Sequence, residues 1–186
     1  MRLFIAIEIP ENIRTAFASL LKEFRAIAPQ LKWVRAENLH VTLKFLGETE
    51  SAKLAALQNV LSAVRSPAPV NLEFRGLGFF PNEKRPRVFW AGMETSPNLK
   101  TLAADIDQGV HRLGFPLEER PFTAHLTLAR VPLPGIPPIF LQAIKEKSTQ
   151  SFGSLRPHRF HLIESKLKPT GAEYTTVQTF HFATEA

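Results

Sequence analysis

His40-Val41-Thr42-Leu43 and, in the second half, His125-Leu126-Thr127-Leu128 decide how this chain is read. The two tetrapeptides stand close to half of the 186-residue chain apart. Each lies in a run of alternating type and reads as a strand, with imidazole and hydroxyl on one face and two aliphatic side chains on the other. Roughly a twentieth of one such match is expected by chance in a chain with six histidines. Two copies at this spacing imply an ancient duplication into two lobes, although the rest of the sequence is not visibly repeated. If a pseudo-twofold axis relates the lobes, the two His/Thr pairs meet across a central cleft.

Working outward, Arg2 to Ile9 alternates, with Leu3, Ile5, Ile7 and Ile9 on one side and Phe4, Ala6 and Glu8 on the other, which predicts a mostly buried strand. A helix follows Pro10, with Ile13, Phe17, Leu20, Leu21 and Phe24 at helical spacing. A short strand is expected around Lys32 to Arg35, and the first motif's strand from His40 to Leu46, stopped by Gly47. Thr49 reads as the cap of a helix from about Ala52 to Val64. Strands are expected at Val70 to Arg75 and Arg87 to Met93, with a turn-rich Phe80 to Pro86 between them. Ser96-Pro97 starts a helix that Gly114 ends. The second motif's strand runs from His125 to Val131, followed by a proline-rich loop over Pro132 to Pro138 and a helix from Ile139 to Lys147. Strands at Arg159 to Lys166 and Tyr174 to Phe182 finish the chain. The pattern is α+β: antiparallel sheets flanked by helices, in one bilobal domain over residues 1–186.

Composition narrows the chemistry. There is no cysteine, which removes thiolate nucleophiles, disulfides, zinc-thiolate sites and iron–sulfur clusters. The net charge of +6 favours anionic partners, nucleic acid first among them. No stretch approaches the roughly 20 apolar residues of a membrane span, and the start lacks a signal-peptide pattern, so a cytoplasmic monomer with no membrane partner is expected. Gly76 and Gly78 open no helix, and neither a Walker loop, a Gly-x-Ser-x-Gly elbow nor His-Glu-x-x-His is present. No third ligand is marked out beside the two histidines, so neither a metal nor a cofactor is called for.

Two imidazoles that titrate near neutrality supply both proton transfers of phosphodiester cleavage: one accepts from the nucleophile, the other donates to the departing oxygen. Threonine hydroxyls beside them are placed to hold non-bridging phosphate oxygens. The other histidines, His111, His158, His161 and His181, read as structural. Lys44 shares the His40 face by alternation, as a phosphate contact or a solvated strand lysine.

The paired motifs resemble those of the two-histidine phosphoesterase superfamily. Within it, Arg2-Leu-Phe-Ile-Ala-Ile, Trp33-Val, Asn38-Leu-His-Val-Thr-Leu-Lys-Phe-Leu-Gly47 and Phe122-Thr-Ala-His-Leu-Thr-Leu-Ala-Arg130 are similar to the RNA 2′,3′-cyclic phosphodiesterases, long called 2′-5′ RNA ligases. Glu164-Ser-Lys-Leu, Gly171 and Tyr174 resemble that branch's C-terminal signature. Where many relatives have proline before the second histidine, this chain has Ala124. The resemblance implies a bilobal fold and hydrolysis of an RNA 2′,3′-cyclic phosphate to a 2′-phosphate. It implies His40 as proton donor, His125 as proton acceptor, and Thr42 and Thr127 as phosphate-binding residues. It also implies 2′-5′ joining of tRNA halves as a secondary activity. Arg130 matches an arginine of the second motif that would pair with phosphate. Phe45 is a candidate to stack on a base. Strict alternation turns both away from the histidines. Two other readings stand beside this one: a non-catalytic RNA-end binder, and a phosphodiesterase for 2′-5′ oligoadenylate or small cyclic nucleotides.

Overall fold

The alternation at the start of the chain is satisfied by burial on both sides: Leu3, Ile5 and Ile7 face one layer and Phe4 and Ala6 the other, and all five are buried in strand β1 (Arg2–Glu8). The structure, a computed structural model, describes residues 1–133, 135–169 and 171–183; Pro134, in the expected proline-rich loop, lies outside the described residues. After β1 come α1 (Glu11–Ile27), β2 (Lys32–Trp33), β3 (His40–Glu48), α2 (Leu54–Ser62), β4 (Leu72–Phe80) and β5 (Val88–Thr95). Then follow α3 (Pro97–His111), β6 (His125–Arg130), α4 (Pro138–Glu146), β7 (Ser151–Leu155), β8 (Arg159–Lys168) and β9 (Gly171–His181).

The strands form one curled antiparallel sheet in the order β7-β4-β5-β6-β3-β1-β8-β9, with the short β2 also paired to β6. Its two halves, β7-β4-β5-β6 and β3-β1-β8-β9, meet where Val41 pairs with Leu126, the second residue of each motif. The strands thus make one continuous sheet, with the two motif strands side by side at its middle seam. The helices cover the face that carries Val41 and Leu126. The expected stripe on α1 is buried there, with Phe24 against Phe89 and Phe140, and Phe17 stacked on Phe152 at 4.9 Å. Burying one such ring is worth about 1.5–3 kcal/mol, so this stripe holds the β4–β7 half in place. Within the other half, α3 packs on β3 and α2 reaches β9.

Several local expectations need correction. Thr49 caps no helix: its hydroxyl donates to the Gly47 carbonyl at 3.2 Å, and a 3-10 turn over Ser51–Lys53 leads into α2. Ser96 does precede α3, with Pro97 at its start, but its hydroxyl accepts the Asn71 N–H at 2.9 Å and so ties the helix to the entry of β4. The strand expected to end at Arg75 runs on as β4 to Phe80. β7 had no counterpart in the sequence reading.

Candidate active site

Both motifs break strict alternation at the same place. In β3, Thr42 pairs with Ala6 and Lys44 with Ile5, leaving Leu43 as an extra residue. In β6, Thr127 pairs with Trp90 and Ala129 with Phe89, leaving Leu128 as the extra residue. A bulge adds one residue to one strand and turns the residues beyond it onto the other face. The consequence is the same burial sequence in both strands: the first and third residues half-buried, the second, fourth and fifth buried, and the sixth exposed. Phe45 and Arg130, each five residues after its histidine, therefore return to the histidine side, and Phe45 is 64% exposed.

Lys44 moves the opposite way. It is neither a phosphate contact nor solvated, being 2% exposed on the helix side of the sheet. Its ammonium reaches Asp107 of α3 at 2.7 Å, the Pro116 carbonyl at 2.7 Å and Glu118 at 3.0 Å. The bulge at Leu43 is what turns it inward, and three oxygens make its burial tolerable.

The two histidines are held alike. His40 Nδ1 lies 2.7 Å from the Asn38 carbonyl, and His125 Nδ1 lies 2.8 Å from the Thr123 carbonyl. A carbonyl only accepts, so each Nδ1 carries the proton and each Nε2 is left as the exchangeable position. Asn38 is itself anchored, donating from Nδ2 to the Ala172 carbonyl at 2.8 Å. The antiparallel register fixed by Val41 and Leu126 sets His40 opposite Thr127 and His125 opposite Thr42. Each imidazole thus stands beside the hydroxyl of the other motif.

Aromatic rings flank both. Phe4 lies 4.7 Å from the His40 ring and Tyr174 stands edge-on to it at 5.3 Å. Phe80 stands edge-on to His125 at 5.0 Å. Phe4, Ala6 and Ile163, with Tyr174 packed on them, form a small apolar cluster separate from the main core, the floor of the cleft on this side. Burial lowers the His40 proton affinity below the ordinary imidazole value; the Asn38 carbonyl opposes this and a charged His125 adds to it. Burial likewise raises Tyr174, with Arg130 and Arg2 pulling the other way, so the phenol keeps its proton at neutral pH.

Of the residues marked in the sequence, His40, Thr42, Phe45, His125, Thr127 and Arg130 share the seam, whereas Lys44 does not. Tyr174 belongs to the C-terminal signature, and its place against His40 follows from the order β3-β1-β8-β9, which no local pattern reveals. His161 lies in β8 against Ala6, with Nδ1 3.0 Å from the Thr179 hydroxyl and Nε2 3.7 Å from Glu8. His111 bonds the Phe115 carbonyl at 2.9 Å beyond the end of α3, and His158 stacks on His181 at 5.7 Å. Among the described residues, no three His, Cys, Asp or Glu side chains gather as a metal site requires, and no helix is long and apolar enough to cross a membrane.

The family model described as LigT like Phosphoesterase matches residues 7–90 and 93–174, one motif in each segment. An RNA 2′,3′-cyclic phosphodiesterase of Archaeoglobus fulgidus is 37% identical over 180 residues, 97% of this chain and 99% of that one. The crystal structure of TT0787 of Thermus thermophilus superposes with a TM-score of 0.81 at 33% identity, over the whole of both chains. E. coli LigT complexed with 3′-AMP superposes with a TM-score of 0.77 at 28% identity, over 98% of each chain. With a motif in each matched half and both motifs meeting at one seam, the chain belongs to the LigT-like phosphoesterases of the two-histidine superfamily.

Proposed function

We propose that this chain, acting as one bilobal domain, hydrolyses the 2′,3′-cyclic phosphate at an RNA end to a 2′-phosphate. The observation that carries the reading is the matched pair of imidazoles, each with Nδ1 tied to the carbonyl two residues earlier and each beside the other motif's threonine. His125 takes a proton from water as it attacks phosphorus. The bond from phosphorus to the 3′ oxygen breaks, and His40 gives that oxygen its proton. Thr42 and Thr127 donate hydrogen bonds to the non-bridging oxygens, and Arg130 adds a guanidinium on the same face. Phe45, exposed on the histidine side, stacks on a base of the RNA.

The two histidines start unequal. His40 holds its proton weakly before substrate binds, so it becomes the acid only when the anionic phosphate arrives and favours the charged ring. Once protonated, a weakly basic imidazole is the stronger acid toward a departing alkoxide. The net charge of +6 and the names of relatives such as the Archaeoglobus protein support RNA as the substrate. A 5′-hydroxyl in the water's place would give 2′-5′ joining of RNA ends by the same two proton transfers, as with tRNA halves.

The test is multiple-turnover incubation with an oligonucleotide ending in a 2′,3′-cyclic phosphate, with EDTA present, and chromatography against authentic 2′- and 3′-phosphate ends. The 2′-phosphate is expected. A 3′-phosphate would refute the assignment of the leaving oxygen. Salt-sensitive binding without product would favour an RNA-end binder, and faster turnover of 2′-5′ oligoadenylate or a small cyclic nucleotide would move the substrate class.

A further inference from the structure

The two halves of the cleft differ in one respect that the duplication does not require. In register, Ala6 lies beside Thr42 in one half, whereas Trp90 lies beside Thr127 in the other. An indole on one side thus answers a methyl group on the other. Glycine at 78 makes room for it, since a Cβ there would come within 2.5 Å of the Trp90 ring, and one at Gly92 would meet both the Arg75 carbonyl at 3.0 Å and the ring at 3.1 Å. Neither glycine adopts the left-handed conformation, so close neighbours and not a turn call for glycine: the flat ring at Gly78, and the ring with the Arg75 carbonyl at Gly92.

Phe80 packs against Trp90 with ring centroids 5.2 Å apart, and the same Phe80 ring stands edge-on to His125. Trp90 and Phe80 are both half-buried, so each keeps part of its surface open. The other tryptophan, Trp33, packs against the core rings Phe89 and Phe140 and donates its indole N–H to the Ala28 carbonyl. The sequence thus uses one tryptophan in the core and seats the other, over two glycines, next to the reacting groups.

We propose that Trp90, flanked by Phe80, is a stacking shelf for the nucleobase of the nucleotide whose phosphate lies between His40 and His125. The inference rests on the phosphodiesterase reading above and names the part of the substrate that the shelf recognises. In a nucleoside 2′,3′-cyclic phosphate, one oxygen and two ribose carbons separate the phosphorus from the glycosidic nitrogen. A base is therefore carried about one ring's width from the phosphate, and from His125 that is where Phe80 and Trp90 lie. Stacking tolerates any base because every base has a flat π face, so the shelf would grip the terminal nucleotide without fixing its sequence.

Two readouts test this. In a Trp33→Phe variant Trp90 is the only indole, and adenosine 2′-monophosphate should quench its fluorescence saturably while inorganic phosphate does not. If that variant does not fold, the difference in quenching between the unaltered protein and Trp90→Phe gives the same information. In the kinetic arm, Trp90→Leu is compared with the unaltered chain on adenosine 2′,3′-cyclic phosphate and on methyl riboside 2,3-cyclic phosphate, which lacks a base. The ratio of kcat/KM on the first to that on the second should fall about tenfold or more, through KM, and Trp90→Phe should restore most of it. An unchanged ratio would overturn the proposal and make Trp90 a support for His125 alone. Absence of quenching by adenosine 2′-monophosphate would also overturn it. If the unaltered protein turned over neither substrate, the phosphodiesterase reading would fail, and the fluorescence result would still decide whether Trp90 meets a base.

Discussion

Replacing Lys44 with methionine keeps the length and apolar stem of the side chain and removes only the buried charge. The ammonium joins three separate segments: β3, which carries it, α3 through Asp107, and the stretch after α3 through the Pro116 carbonyl and Glu118. Breaking a buried ion pair from one side costs roughly 3–5 kcal/mol, because the partner charge is stranded. Here the stranding is partial. Glu118 is 53% exposed and rehydrates, and Asp107 Oδ2 keeps the Glu118 N–H at 3.2 Å. A loss of about 2–3 kcal/mol is therefore expected, which for a chain of this size lowers Tm by roughly 5–10 °C. The stretch held by Lys44 leads to Thr123, whose carbonyl fixes His125, so turnover well below the melting temperature should also fall a few-fold or more. Thermal unfolding followed by circular dichroism, with initial rates on a cyclic-ended oligonucleotide, measures both. In the double variant with Asp107→Leu no charge is stranded, and part of the stability should return. A Tm drop below about 1 °C for Lys44→Met, or a double variant as unstable as the sum of the two singles, would refute the reasoning.

Other outcomes rest on the same geometry. Because burial and a charged His125 hold His40 below the ordinary imidazole pKa, and the donor acts only while protonated, the alkaline limb of the kcat/KM profile should lie at lower pH than that of the kcat profile, where bound phosphate favours the charged ring; initial rates across the pH range check this. His161, whose proton affinity is likewise lowered by burial, is neutral when folded and takes up a proton more readily when unfolded. Stability should therefore decline as pH falls below about 6.5, and His161→Gln should flatten that decline in thermal melts at pH 7.5 and 5. Gly78→Ala drives a methyl group into the Trp90 ring, so both Tm and turnover should drop, with the fluorescence of the displaced indole changing in step. Tyr174→Phe keeps the ring contact with His40 and loses only the hydroxyl; a several-fold fall in kcat/KM with Tm nearly unchanged would place that hydroxyl on the substrate.

The motifs, the strands that carry them and the apolar stripes of α1 and α3 were legible because burial leaves a period of two or of 3.6 in the residues themselves. That the two motifs come together was legible from the repeated tetrapeptide, but as pairs facing across a cleft; that their strands are direct neighbours in one sheet was not. The bulges at Leu43 and Leu128 were not, because a leucine in a strand carries no mark of being the extra residue. Without them alternation sets Lys44 on the cleft side, and lets Phe45 and Arg130 reach the histidines only through a break in the strand. β7 was missed because Ser151-Phe-Gly-Ser offers a single buried ring, Phe152, and a glycine at positive φ, a pattern that reads as a loop until Phe17 and β4 supply its partners. Trp90 and Tyr174 gained their meaning from strand order alone.

The central claim is that His40 and His125 act as one unit, and the most direct measurement compares His40→Ala, His125→Ala and the double variant in single-turnover hydrolysis of a cyclic-ended RNA. Each single change should cost about 10²–10⁴ in rate, and the double variant should be little worse than either, since one proton transfer without the other completes no reaction. A folded single variant that keeps a tenth or more of the rate, or losses that multiply in the double variant, would contradict the two-histidine account.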